Sequence, residues 1–216
     1  TSGVVCIALT PYALRAANML FEKKSQLSSS GSDQMQNLDG EKEGIQKRYV
    51  ALVEGTLGSD EYSVTGVVEH SIGQVWMDDH NEWATDVSGN GRDALIRPGV
   101  VSNFVSESLR DAKTSYRAVN WTSTKTANDV MNATRVELTP HTGRGHQLRL
   151  HMISIGHPIV GDDMHGALKE KKSAISRSIN RGRLCLHASK LSMDVWDGTT
   201  DEFRICRVDI ESSPPF

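Results

Sequence analysis

The segment from 141 to 162 constrains the fold more than any other part of the 216-residue chain. Three apolar residues recur within it at the helical spacing i, i+4 and i+7: Leu148, Met152 and Ile155. This spacing predicts a helix over residues 146–155. Gly156 suits the left-handed position just past the end of that helix, and His157-Pro158 then forces an extended chain. The sequence therefore predicts one short helix with a polar, glycine-containing loop before it and a sharp exit after it.

Strand patterns dominate the rest of the chain. Residues 48–55 alternate apolar side chains on both faces and end in glycine, which predicts a strand. The continuous, β-branched apolar run over 4–9 is typical of a strand buried on both faces. Shorter segments with strand character follow: 62–68, 74–76, 114–119, 134–138, 184–187, 191–196 and 203–210. Runs of strands with a few inserted helices predict an α+β fold with a mixed, largely antiparallel sheet.

Two further stretches have helical character. Residues 11–24 carry apolar side chains at helical spacing; Thr10 suits the N-cap, and Pro11 suits the first helical position. Residues 168–183 are basic and compatible with a helix. The sequence thus predicts an amphipathic helix near the N-terminus and leaves a second, weaker candidate near the C-terminal strands.

The length of the chain and the placement of its polar stretches indicate one domain. We interpret residues 1–216 as a single unit with a flexible insertion at about 25–44 and a long loop region at about 78–106. Both stretches are polar and lack a regular period. Because the strands on either side of the first stretch need one another to form a sheet, we expect an insertion there rather than a domain boundary.

Composition excludes several classes of protein. A net charge of −3 argues against a uniformly basic surface, so any contact with phosphate must be local. Three widely spaced cysteines form neither a disulfide framework nor a Cys-x-x-Cys motif. His146 and His151 lie on different faces of the predicted helix, and no His-Glu-x-x-His pattern accompanies them, so we expect no metal site. The apolar run 4–9 is too short to span a bilayer and no leader opens the chain, which favours an intracellular protein, with the compartment left open.

Residues 142–149 read Thr-Gly-Arg-Gly-His-Gln-Leu-Arg. They resemble the Thr-Gly-Arg-x-His-Gln-(Leu/Ile)-Arg signature of the RluA-type RNA pseudouridine synthases. Other segments resemble further elements of the same family: Arg-Tyr-Val-Ala at 48–51, Ala-Lys-Thr-Ser-Tyr at 112–116, Gly-His-Pro-Ile-Val-Gly-Asp at 156–162, Leu-His-Ala at 186–188 and Pro-Pro-Phe at 214–216. The resemblance therefore extends over the whole chain, interrupted by the two insertions.

This resemblance implies a pseudouridine-synthase fold and the isomerisation of uridine to pseudouridine in structured RNA, either tRNA or rRNA. It implies base flipping and no cofactor, and we expect a monomer. The family carries its nucleophilic aspartate in His-Arg-Leu-Asp-x-x-Thr-Ser-Gly, and this chain begins at Thr1-Ser2-Gly3. The chain as given thus lacks that aspartate, and we expect it to be inactive alone.

The resemblance also assigns roles to seven residues. Tyr49 would pack against the target base and remove the proton from C5, and Arg149 would form a salt bridge with the catalytic aspartate. Without that aspartate, we expect the Arg149 guanidinium to be partly buried and to have no partner. Leu186 would pack near the active site. Four residues would contact RNA: Arg48, Arg144, His146 and Gln147.

The residues taken alone leave other interpretations open. An arginine beside an apolar helix stripe is more often part of an ordinary structural ion pair, and a strand tyrosine such as Tyr49 is more often a core aromatic. A basic loop before a helix is more often a solvated surface than an RNA site. The alternative function is therefore a non-catalytic RNA-binding relative that keeps the cleft but lacks the nucleophile.

Overall fold

The structure is a computed structural model that describes residues 1–29, 45–58, 64–77, 82–87, 110–125, 130–163, 165, 183–197 and 204–216. Within these residues, two helices and nine strands follow in chain order: β1 Ser2–Gly3, α1 Pro11–Ser29, β2 Gln46–Glu54, β3 Thr65–Val68, β4 Ile72–Met77, β5 Glu82–Val87, β6 Thr114–Lys125, β7 Val130–Pro140, α2 Gln147–Ser154, β8 Leu186–Asp197 and β9 Arg204–Glu211.

Seven strands form one sheet in the order β1-β8-β2-β7-β6-β3, and β9 also pairs with β8. β4 and β5 form a separate antiparallel pair. The short β1 runs parallel to β8, and every other strand pairing in the described ranges is antiparallel. The predicted α+β fold with a mixed, largely antiparallel sheet is therefore confirmed.

The central strand β2 has a core on each of its faces. Ala51 and Val53 belong to a buried cluster that includes Leu148 of α2, whereas Leu52 belongs to a second cluster with Val160. Alternate side chains of a strand point to opposite faces, so an uninterrupted apolar run fits a strand that is covered on both sides. The prediction for 48–55 is confirmed, and the packing places α2 against the same face of β2 as Ala51.

The apolar run 4–9 is not a strand, so this prediction is wrong. Only its beginning is held by the sheet, where the Val4 amide donates to the Ala188 carbonyl at 2.9 Å. Three of its side chains are largely exposed: Val5 at 76%, Ile7 at 75% and Leu9 at 90%. A strand needs a hydrogen-bonding neighbour along its length, and no described strand pairs with residues 4–9. The local sequence pattern shows that these residues are apolar, but it does not show whether another strand lies beside them.

Other strand predictions have the right location and the wrong length. β6 and β7 form the predicted antiparallel pair but extend well beyond 114–119 and 134–138. The predicted strands 184–187 and 191–196 are parts of one continuous strand, β8. β5 lies inside the stretch predicted to be a loop, and most of that stretch lies outside the described residues. In each case pairing with a neighbouring strand extends the regular structure past the local pattern.

The predicted helices are confirmed with small changes in length. The Ala13 amide donates to the Thr10 hydroxyl oxygen at 3.1 Å, as an N-cap requires. Helix α1 continues to Ser29, five residues into the predicted insertion, and the rest of that insertion lies outside the described ranges, as does 168–182. Gly156 has a φ of 85° and ends α2 as predicted. Neither α1 nor α2 is long and apolar enough to cross a membrane.

Candidate active site

Gln147 organises the loop that precedes α2. Its side-chain oxygen accepts hydrogen bonds from the Thr142 hydroxyl at 2.8 Å and from the Arg144 amide at 3.0 Å. Its side-chain nitrogen donates to the Lys113 carbonyl at 3.0 Å and the Thr114 hydroxyl at 2.9 Å. Gln147 is buried, and its amide has two acceptor and two donor positions, all of which are used inside the protein. Gln147 therefore shapes the loop from within, which differs from the predicted direct contact with RNA.

Arg149 forms a buried ion pair with Asp162. Its Nε donates to Asp162 Oδ2 at 2.8 Å, and its Nη2 donates to Oδ1, so the contact is bidentate. The side chain of Asp162 is only 1% exposed and that of Arg149 is 16% exposed. Burial alone would raise the pKa of Asp162, but the Arg149 guanidinium and the backbone amide of His165 together hold that pKa below its ordinary value.

The expectation that the Arg149 guanidinium has no partner in this chain is therefore wrong. The partner lies thirteen residues further on, after the chain has left α2 and turned at Gly161, where φ is 80°. The spacing of residues along a helix does not predict this contact, because the contact depends on how the chain returns to the helix after leaving it. The sequence offers one weak signal for this ion pair: Asp162 directly follows Gly161, where the chain can turn back toward the helix.

His146 and His165 form an imidazole pair next to that ion pair. Nε2 of His165 lies 2.8 Å from Nδ1 of His146, so one ring donates to the other. His146 has a left-handed φ of 55°, which is uncommon for a residue with a side chain, and it remains exposed. One nitrogen of His146 is thus engaged inside the protein. In the described ranges, no group of three or more His, Cys, Asp or Glu side chains could hold a metal ion.

Arg144 is the cation of the loop that remains partly exposed. Its Nε donates to the Asp111 carbonyl at 3.0 Å, which fixes the base of the guanidinium. No carboxylate within the described residues forms a salt bridge with it. Arg144 can therefore present its terminal N–H groups outward, as a phosphate-binding arginine must.

A cavity of about 470 Å³ lies between the N-terminal segment, α1, β2 and β8. Tyr49 lines it from β2 and Ala188, its cross-strand neighbour, lines it from β8. Burial raises the pKa of Tyr49, so the phenol is neutral at ordinary pH. No other described residue forms a hydrogen bond with the phenol. The predicted catalytic tyrosine therefore faces a space large enough for a ligand.

The predicted site residues fall into separate groups. Leu186 is buried in the core cluster against which Tyr49 packs, and its predicted place near an active site stays a prediction. Arg149 does not line the cavity, and neither does Arg48, which is exposed on β2. Lys47 lies two residues before Tyr49 and does line it. The alternation of strand side chains could have identified Lys47 from the sequence.

Comparison with solved structures identifies the class of this architecture as a pseudouridine synthase domain. The human protein titled RNA Pseudouridylate Synthase Domain Containing 1 superimposes with a TM-score of 0.61 and 26% identity, over 100% of this chain and 66% of that chain. Human RNA Pseudouridylate Synthase Domain Containing 4, at 20% identity and a TM-score of 0.52, shares the fold.

The chain belongs to the RNA pseudouridylate synthase family, whose model matches residues 1–154. It is 31% identical to tRNA pseudouridine synthase C of Pectobacterium carotovorum. The match extends over 197 residues, which are 90% of this chain and 41% of that protein. It is 27% identical to the dual-specificity RNA pseudouridine synthase RluA of Yersinia pestis, over 86% of this chain and 66% of that protein. The family resemblance of the sequence is confirmed, although the matched part of the chain covers only 41% and 66% of the length of these two curated relatives.

Proposed function

We propose that this chain forms the catalytic domain of an enzyme that isomerises uridine to pseudouridine in structured RNA. The observation that carries the proposal is the position of Tyr49, which lines a cavity of about 470 Å³ within the segment matched by the family model. The reaction breaks the N1–C1′ bond of uridine, turns the uracil and joins C5 to C1′. The proton on C5 is then lost, so the chemistry needs a pocket for a flipped base and a proton acceptor beside it.

Tyr49 is suited to two steps of this reaction. Its neutral phenol can pack against an uncharged uracil without a penalty for burying charge. To accept the proton from C5, the phenol must first lose its own proton, and burial opposes that loss. We propose that the tyrosine holds the base in the resting complex. After the C5–C1′ bond has formed, the phenol passes its own proton to water and takes the proton from C5.

Arg149 can serve the nucleophile while it remains paired with Asp162. A guanidinium carries five N–H donors, and the bidentate contact with Asp162 uses two of them. The remaining donors can hold a second carboxylate, the nucleophilic aspartate that the resemblance predicts before Thr1. No Asp or Glu of the described residues lines the cavity. We therefore propose that Asp162 orients Arg149 and that the oriented guanidinium keeps the nucleophile ionised.

RNA would be bound by local positive charge, because the chain as a whole is acidic. Arg144 and His146 are the partly or fully exposed residues of the loop before α2, and Arg48 is exposed on β2. We propose that these three residues contact the RNA backbone or base edges. We propose tRNA or rRNA as the substrate and an intracellular place of action; the name of one relative, a tRNA pseudouridine synthase, supports tRNA.

The proposal is tested by tritium release from RNA labelled at C5 of uridine, because joining C5 to C1′ displaces that atom. The full-length natural protein that contains this sequence should release tritium, and Tyr49→Phe should slow release by about 100-fold or more with RNA affinity within a few-fold. The matched control is Tyr116→Phe, since Tyr116 packs against the same core without lining the cavity.

Two other results would change the assignment. Full activity in Tyr49→Phe would show that the proton acceptor is another residue. RNA binding without tritium release by the full-length protein would support the non-catalytic relative instead. The 216-residue chain alone should show no release above buffer, and this expectation stays a prediction.

A further inference from the structure

Lys47 shares the cavity with Tyr49. The two residues are separated by one position on β2, so their side chains lie on the same face of the strand, about 7 Å apart along it. Both line the cavity of about 470 Å³, whereas Arg48, between them, does not. The family resemblance drew attention to Arg48, but the structure brings Lys47 to the space beside the proposed base-binding tyrosine.

The ammonium group of Lys47 has an aromatic neighbour and, among the described side chains, no carboxylate partner. Its Nζ lies 4.0 Å from the centre of the Phe21 ring. No described carboxylate forms a salt bridge with it. Burial lowers the pKa of Lys47, and the nearby Cys6 offsets this effect only in part. A cation–π contact compensates only part of the hydration that a half-buried cation loses.

Lys190 provides an internal comparison, because it lines the same cavity from β8. Its Nζ lies 2.8 Å from Glu211 Oε1 and 3.8 Å from Asp209 Oδ1, so the protein itself neutralises this cation. Lys47 thus contributes more positive electrostatic potential to the cavity than Lys190 does. An anion entering the cavity meets an available positive charge at Lys47 and an already satisfied one at Lys190.

We propose that Lys47 binds the phosphate adjacent to the flipped nucleotide whose base packs against Tyr49. This inference rests on the proposed function and adds a positioning residue to it. In a nucleotide the phosphate is displaced from its base, as Lys47 is displaced from Tyr49 along β2. Fixing one phosphate and one base face sets both the depth and the orientation of the nucleotide, which a base contact alone cannot do.

The test uses an RNA hairpin with a single uridine in a loop otherwise made of adenosines. Its affinity for the full-length protein is measured at several salt concentrations. Two further hairpins carry a neutral methylphosphonate in place of the phosphate either 5′ or 3′ of the uridine. Lys47→Met, which keeps the length of the side chain and removes its charge, is compared with Lys47→Arg. Arg207→Met is the control for net charge, because Arg207 is paired with Asp194 on the β8–β9 pair and does not line the cavity.

We expect Lys47→Met to weaken binding of the all-phosphate hairpin by about tenfold and to lower the slope of log Kd against log salt by about 0.7 to 1. It should have no further effect on the hairpin whose critical phosphate is already neutral. Lys47→Arg should retain most of the affinity, and Arg207→Met should bind as the wild type does. The wild-type protein alone should bind one methylphosphonate hairpin about tenfold more weakly than the other, which keeps the test valid even if a variant folds poorly.

An equal loss on all three hairpins for Lys47→Met would overturn the inference and leave the proposed function standing, because Lys47 would then act on the fold or on general charge. An unchanged affinity would overturn it in the same way. If the wild-type protein binds none of the hairpins and releases no tritium, the proposed function fails, and the inference fails with it.

Discussion

The two sides of the candidate site differ in how completely the protein satisfies its own polar groups. On the helix side, which comprises α2 and the loop before it, Gln147 uses all four positions of its amide and Arg149 is paired with Asp162. On the cavity side, which comprises the cavity and the residues that line it, the Tyr49 phenol has no hydrogen-bond partner and Lys47 has no anionic partner among the described residues. The helix side is therefore held by the fold, and the cavity side is available to a ligand.

This difference explains why residues from one motif need not share one role. The Thr-Gly-Arg-Gly-His-Gln-Leu-Arg segment contains both inward groups, such as Gln147, and outward groups, such as Arg144. The inward groups fix the loop geometry, because a buried polar group is costly unless it is hydrogen-bonded. The outward groups can then meet a substrate from a rigid position. Substitutions of the inward groups should consequently affect stability, whereas substitutions of the outward groups and of the cavity residues should affect ligand binding.

The largest expected effect on stability is that of Arg149→Met. This change leaves the Asp162 carboxylate, whose side chain is 1% exposed, without its main partner. Breaking a buried ion pair by removing one member costs about 3–5 kcal/mol of unfolding free energy, and the lower end applies here because Arg149 is partly exposed. Urea unfolding of the 216-residue chain at neutral pH measures the change.

The matched control for that experiment is Arg117→Met. Arg117 pairs with Glu137 at 2.6 Å, but both side chains are 40% exposed or more, so its loss should cost about 1 kcal/mol or less. A gain of stability in Arg149→Met would remove the contrast between the two sides. It would mean that the Arg149 guanidinium destabilises the folded state despite its contact with Asp162.

The second prediction concerns pH and His151, a buried residue of the helix side. Its Nδ1 lies 2.9 Å from the Thr114 hydroxyl, and its Nε2 lies 3.1 Å from the His70 carbonyl. Burial lowers the pKa of His151 from 6.5 to about 4. Between these values the unfolded chain takes up a proton that the folded chain excludes, so unfolding free energy falls as the pH drops from 6.5 to 4. The loss is on the order of 3 kcal/mol in total.

His151→Gln should remove this part of the pH dependence, because glutamine does not titrate. The measurement is the unfolding free energy of both proteins at intervals from pH 7 to pH 4. Asp162 has a lowered pKa, so its own contribution is lost mainly as the pH falls below about 4, and this loss is common to both proteins. Parallel curves for the wild type and the variant would show that His151 titrates normally and that water reaches this part of the helix side.

The smallest expected effect on stability belongs to Lys47→Met on the cavity side. The variant loses a cation–π contact with Phe21, which destabilises it by about 0.5–1 kcal/mol. It no longer has a half-buried ammonium group, and the absence of that buried charge stabilises it. These two changes oppose each other, so unfolding free energy should stay within about 1 kcal/mol of the wild-type value. A large destabilisation would indicate that Lys47 supports the fold, and the two sides of the site would then no longer differ.

Much of the architecture could be predicted from local pattern. The helix ended by Gly156, the N-cap at Thr10 and the two-faced strand around Ala51 each depend on residues within a few positions of one another. Backbone preferences and side-chain periodicity act over that same range. Tyr49 and Leu186, which the family resemblance assigned to one site, lie at the same buried cluster although they are distant in the chain, and their roles stay predictions.

The sequence by itself determined most of the helices and strands, the class of the fold and the motif that reveals the family. The tertiary structure decided the rest, because each remaining feature joins residues that are distant in the chain. It left residues 4–9 without a neighbouring strand, paired Arg149 with Asp162, and drew Gln147 inward. It also placed Lys47 rather than Arg48 beside Tyr49, since only the packed sheet and α1 create a cavity for one face of β2 to line.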